Sequence, residues 1–335
     1  MVGACGSPSP PLPVVEAPAV VNVAPPSPVA SAPPSAEPAP VVEPAPPRLD
    51  VAAVLFPDAA TTPPAAARCA PIAAEQDRTR CLFAARYDGD PEALRLAIEL
   101  HDATGDVAGV QVEQDMDGGF RGKLHLVPEV PTGKHRRHLA WIAAASRDFD
   151  AFFAALAPTA RTPVRYRVRP LAVRFFRSVG RTTPSAYAEG WAVSYNVSGS
   201  LHGSAEAVRD TLFHEIFHLN DAAHGDWSPR ALGADYDVIV RRCGTRVACL
   251  APYAPGDTRV RGGTYYAFQP NNGEPVREYA AELSLRYFRE QRAALRAEAP
   301  RRTAFKCGPE ENRRAWAAMV AEFFGGADAV PACSR

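Results

Sequence analysis

The sequence predicts an α+β fold, with helices and strands interleaved in the first half and helices dominating the second. Three observations carry this. Strand-like runs lie at Phe120–Val127, Val164–Phe176 and Trp191–Val197. Helical apolar spacing then fills most of the chain after Ser204. Residues 65–335 number about 270, enough to build a two-lobed core.

Taken in order, residues 6–47 are almost wholly Pro, Ala, Val, Ser and Glu, with fifteen prolines, and bury no core. The expectation is a Pro/Ala-rich tether over 6–64, whose 6–47 stretch is semi-rigid and reaches at most ~130 Å when extended. Asp90-Pro91-Glu92 opens a helix to about His101, with Pro at its first position and an apolar face at Leu94, Leu96, Ile98 and Leu100. Residues 136–157 read as a helix rich in Ala, Trp and Phe, its wet end marked by Lys134-His135-Arg136-Arg137-His138. Thr182–Gly190 reads as a loop, and Trp191–Val197 as an edge strand. Ser204 caps a helix that opens on Ala205-Glu206-Ala207 and buries Val208, Leu212, Ile216 and Leu219. Phe213 and Phe217 form a second apolar stripe expected in the core. Further helices are expected at 275–297 and 310–325.

The chemistry is concentrated in Thr-Leu-Phe-His-Glu-Ile-Phe-His-Leu-Asn-Asp. His214 and His218, at i and i+4, share one helix face and can both aim a ring nitrogen at one ion. Glu215, beside the first histidine, can reach a water on that ion rather than the ion itself. This H-E-x-x-H run resembles the zincin metallopeptidases, in which it carries zinc-assisted hydrolysis. The resemblance covers about 100 residues, from the strand before the helix to the Glu278 segment. It implies a two-lobed zincin-like domain, a mixed sheet whose edge strand precedes the active helix, and a mostly helical C-terminal lobe. It implies Zn²⁺ as cofactor, Glu215 as the base that deprotonates a zinc-bound water, and an extended peptide held along 191–197 or the strand before it.

A catalytic zinc needs a third protein ligand, and two residues compete for that place. Glu278 and Glu282, in Arg-Glu-Tyr-Ala-Ala-Glu-Leu, are again i and i+4, and two carboxylates on one helix face need a positive partner. Glu278 as ligand, with Glu282 accepting from the far nitrogen of His214 or His218, resembles the gluzincin branch. His224 is the alternative, ten positions after His214 as in the metzincin signature. Asp221 stands where that signature has glycine, so the chain would have to turn at about residue 220, with Asn220 in the left-handed conformation. The only downstream methionine, Met319, sits in a helical pattern and does not match the metzincin methionine turn. Glu278 is the preferred ligand. Asp221 is a further acceptor candidate behind the histidines, and Tyr266, with Tyr265, a donor to the oxyanion.

Lys and Arg together number 37, as do Asp and Glu, so the formal charge is zero and nothing marks a nucleic-acid partner. Val2-Gly3-Ala4-Cys5 resembles the lipobox of bacterial lipoproteins, which implies a truncated leader over residues 1–5 and acylation of Cys5. A lipid on Cys5 would be the sole membrane attachment, since no apolar run is long enough to span a bilayer. Six further cysteines permit fifteen pairings. Neighbour pairing gives Cys69–Cys81, Cys243–Cys249 and Cys307–Cys333 and implies an oxidising, extracytoplasmic compartment. The expectation is therefore a monomeric, lipid-tethered zinc metallopeptidase, an endopeptidase rather than an exopeptidase, acting on peptide or protein substrates. The alternative is an inert zincin-fold binding domain on the cell surface.

Overall fold

The computed structural model describes residues 49–58, 62–118, 122–260, 263–270, 274–299 and 302–333. Cys5 and residues 6–47 lie outside them. The described residues form a mixed α+β unit of ten α-helices and one curled, six-stranded mixed sheet. It begins earlier than residue 65, with helix α1 (Val51–Leu55). Asp50 accepts from the Ala53 amide at 3.0 Å and caps α1, which buries Val54 and Leu55. A capped apolar turn can bury surface that the surrounding proline-rich composition conceals. Gly109 permits this docking, because a Cβ there would stand 1.9 Å from the Val54 carbonyl oxygen.

Helices α2 (Pro64–Ala67), α3 (Glu75–Arg86) and α4 (Pro91–Thr104) follow, with Cys69 bonded to Cys81. Asp90 caps α4 through the Ala93 amide, and Gly105 closes it in the left-handed conformation at φ 77°. Strands β1 (Val107–Val110), β2 (Gln114–Asp117) and β3 (Lys123–Pro128) precede the long helix α5 (Arg137–Leu156). Then come β4 (Ala172–Ser178), β5 (Ala186–Glu189) and β6 (Ala192–Asn196). The sheet runs β2-β3-β4-β6-β5. β1 pairs in parallel with Ala172–Phe175 and β3 antiparallel with Phe176–Ser178, so the two share one edge of β4.

Three expectations about the sheet are corrected. Residues 164–171 are not strand. Pro170 has no amide to give a ladder, the Arg165 and Tyr166 amides donate to the Phe323 carbonyl at 2.9 Å, and that of Arg167 donates to Asn220 Oδ1 at 2.8 Å. Residues 186–189 are not loop but β5, joined to β6 by the two-residue turn Gly190-Trp191. Both turn residues have positive φ, 56° and 58°, which suits a type I′ hairpin. Trp191 is an unusual occupant of such a turn, and its ring lies 3.7 Å under the Arg167 guanidinium. Consequently β6, the strand that directly precedes the H-E-x-x-H helix in the chain, is flanked by β4 and β5 and is interior. The edge on that side is β5.

After the sheet come α6 (Ala205–Ala223), α7 (Trp227–Cys243), α8 (Val247–Leu250), α9 (Pro275–Leu295) and α10 (Glu310–Phe323). The helix expected at 310–325 ends at Phe323. Cys243–Cys249 joins the ends of α7 and α8, and Cys307–Cys333 closes the segment around α10. An aromatic cluster fixes α6 in place. Phe213 stacks on Phe288 of α9 at 4.4 Å and on Tyr166 at 5.0 Å, while Phe149 and Phe152 of α5 meet them edge-on. The Tyr166 hydroxyl donates to the Phe213 carbonyl at 3.0 Å, so the cluster also satisfies its one buried polar group. Phe217 packs on Trp227 and Phe323. Both α6 phenylalanines are core, as their stripe predicts.

Candidate metal centre

α6 and α9 together build the site. Ser204 Oγ accepts from the Ala207 amide at 3.2 Å, fixing where α6 begins. Val208, Leu212, Ile216 and Phe213 bury their faces, which aims His214 and His218 at α9. On α9, Pro275 sits in the first turn and Glu278 one turn in, with Glu282 one turn further along the same face. The two helices thus bring a histidine pair and a carboxylate pair face to face.

The distances are those of a ligand set. His214 Nε2 and His218 Nε2 lie 3.3 Å apart. Glu278 Oε2 is 3.3 Å from His214 Nε2, and Glu278 Oε1 is 3.7 Å from His218 Nε2. A tetrahedral ion with ligands at roughly 2.1 Å would hold them about 3.4 Å apart. One further feature fits an ion. Glu278 Oε2 is buried and, despite its closeness to His214, makes no hydrogen bond. His214, His218 and Glu278 are the group of three able to hold a metal ion among the described residues.

The groups around this triangle orient it. Glu282 Oε1 faces His214 Nδ1 at 3.4 Å, the arrangement that sets which ring nitrogen a ligand histidine turns to its ion. Tyr266 bonds to Glu278 and lies against His214, with ring centroids 6.1 Å apart. His214, Glu215 and Glu282 are each only 8% exposed, so their charges interact with little solvent screening.

Burial raises Glu215 to about 7, with the charge of Glu278 adding to the rise and that of His214 opposing it. Burial works against a charged His214, yet Glu278 and Glu282 on either side hold it well above the ordinary histidine range. His218 goes the other way: burial and the neighbouring His214 charge lower it to about 4. Burial alone would raise Glu278, but His214, His218 and Tyr266 bring it down to about 2. Without an ion, the site therefore holds a proton on His214 beside an ionised Glu278, and a neutral His218.

Other sequence-predicted residues lie elsewhere. His224 does not join the triangle. It caps the C-terminus of α6, its Nδ1 is 2.6 Å from Glu322 Oε1, and its ring packs on Phe323. Asn220 stays helical, and its side-chain amide donates to the Arg167 and Ile216 carbonyls. The turn that would swing His224 back is thus absent. Asp221 is not a histidine acceptor either. Its two oxygens take the Ser228 amide and hydroxyl at 2.6 and 2.7 Å, tying α6 to the start of α7. The Tyr265 hydroxyl accepts from Arg259 Nη2 at 3.4 Å, and the same guanidinium lies over its ring. Two contributors carried little sequence signal: Arg277, whose charge disfavours a protonated His218, and Gly256, packed against Glu282. Arg277 stands directly before Glu278, which is the only hint the sequence offered.

Comparison with known proteins finds no matching family model, no matching curated protein and no matching solved structure. The chemistry of this chain is therefore read from the site itself: a buried His-His-Glu group able to hold a metal ion, with a second glutamate of raised pKa beside it.

Proposed function

We propose that the chain is a zincin-like, zinc-dependent metallopeptidase that hydrolyses internal peptide bonds outside the cytoplasm. The observation that supports it best is the His214–His218–Glu278 triangle, with edges of 3.3, 3.3 and 3.7 Å, beside a buried Glu215. Two imidazoles and one carboxylate suit zinc and leave a fourth position for water. Zinc held there supplies Lewis-acid polarisation of a carbonyl and acidifies a water. His214, His218 and Glu278 would hold it, with Glu282 orienting His214.

Glu215 is the group that takes the proton from water and returns it to the leaving amine. A carboxyl raised to about 7 is matched to that exchange near neutrality. Tyr266, bonded to Glu278 and beside His214, is the donor proposed for the carbonyl oxygen as it gains charge. The outer edge of β5 is the place proposed for an extended substrate, by strand addition. Three disulfides support an oxidising compartment. No helix among the described residues is long and apolar enough to cross a membrane. The membrane attachment proposed is a lipid on Cys5.

Cleavage of a peptide library by the zinc-loaded chain tests the proposal. Glu215→Gln should keep zinc and lose activity by on the order of 10²–10⁴-fold. Equal cleavage by that variant would contradict the role of Glu215. Zinc binding without any cleavage by the unaltered chain would instead point to a binding domain.

A further inference from the structure

Glu282 reaches His214 Nδ1 through a space left by a residue far from α9 in sequence. A Cβ at Gly256 would stand 1.8 Å from Glu282 Oε2, closer than such atoms can approach, and a tight 3.1 Å from its Cδ. Gly256 is buried, and its φ lies outside the left-handed region, so space rather than backbone conformation calls for glycine.

The turn that carries Gly256 is held from several directions. Asn312 Nδ2 donates to the Pro252 carbonyl at 2.8 Å, and Arg302 Nη2 to that of Pro255 at 3.1 Å. Arg302 also pairs with Asp257 at 2.6 Å, and the Tyr266 amide donates to the Thr258 carbonyl at 2.9 Å. With the backbone so anchored, the freer party in any clash is the end of the Glu282 side chain.

We propose that Gly256 is a positioning residue of the metal centre, its missing side chain leaving the room in which Glu282 holds its carboxylate against His214 Nδ1. The segment after α8 thereby acts on both α9 carboxylates that face the histidines, with Gly256 setting Glu282 and Tyr266 bonding Glu278. This rests on the reading of the His-His-Glu group as a metal site. An alanine at 256 displaces the Glu282 carboxylate and frees the His214 ring to turn, without touching a ligand.

The test is zinc affinity of the full chain, read by competition with a chelator, for Gly256→Ala, Glu282→Ala and the double variant. Thermal unfolding of each metal-free protein reports whether it is folded. Gly256→Ala should weaken zinc by on the order of 10–100-fold, the range typical for losing an outer partner of a ligand histidine. Glu282→Ala should do the same, and the double variant should bind no more weakly than Glu282→Ala alone. Glu282→Asp withdraws the carboxylate by one methylene, so in that background Gly256→Ala should weaken zinc less than in the unaltered chain. If Gly256→Ala alone does not fold, the double variant carries the test and should fold and bind as Glu282→Ala does. Unchanged zinc affinity in a folded Gly256→Ala chain would overturn the proposal. So would a loss repeated in full without Glu282, or failure to fold with and without it. An unaltered chain that binds no zinc would defeat the metal reading itself, a separate outcome from these.

Discussion

Glu278 and His224 decide which residue completes the metal centre, and they have opposite expected responses. Glu278→Ala removes one corner of the triangle and should lose zinc. His224→Ala should keep it, because His224 spends its ring on Glu322 and Phe323. Its expected effect is a loss of roughly 1 kcal/mol of stability from the broken, part-buried hydrogen bond, seen as a lower thermal midpoint. Zinc retained by Glu278→Ala and lost by His224→Ala would reverse the ligand assignment.

Protonation gives an independent check at the same scale. The metal-free site holds a proton on His214, whose pKa is well above the usual value, whereas His218, at about 4, is already neutral. An ion needs both imidazoles unprotonated, so binding near pH 7 must expel a proton, about one per ion. Affinity should then fall as pH is lowered. Calorimetry in buffers of different ionisation enthalpy measures the protons released. Binding without proton release would contradict the electrostatic picture of His214.

At the scale of elements, the two helices facing each other were legible because their signals are local. Ser204 as cap, the i, i+4 histidines and the i, i+4 glutamates all stand where helix geometry puts them. The sheet was less legible. β5 is four residues long with a Gly-Trp turn, too short for alternation to show, so its pairing moved the edge strand from 191–197 to 186–189. α1 was hidden by proline-rich surroundings, and 164–171 read as strand although its amides are taken by Phe323 and Asn220. Those are long-range choices that a local pattern does not record. Phe213 links α6 to α9 at the point that sets their separation. Phe213→Ala should therefore cost about 3–5 kcal/mol in denaturant unfolding. Losing less than about 1 kcal/mol would mean that the aromatic cluster does not hold the helices together.

At the scale of the whole molecule, the structure brings together residues 214–218 and 278–282 from opposite ends of a long excursion that carries its own disulfide, Cys243–Cys249. Neighbour pairing of cysteines was readable because all three bridges close short stretches, with separations of 12, 6 and 26 residues. The role of Gly256 was not readable, since it depends on where that excursion returns. The central claim is that this folded chain assembles one metal site from α6 and α9. Elemental analysis of the full chain, purified oxidised and without a histidine tag, tests it most directly. The expected result is about one zinc per chain, falling to near zero in Glu278→Ala. A folded, oxidised chain that holds no zinc, even after incubation with the ion, would contradict it.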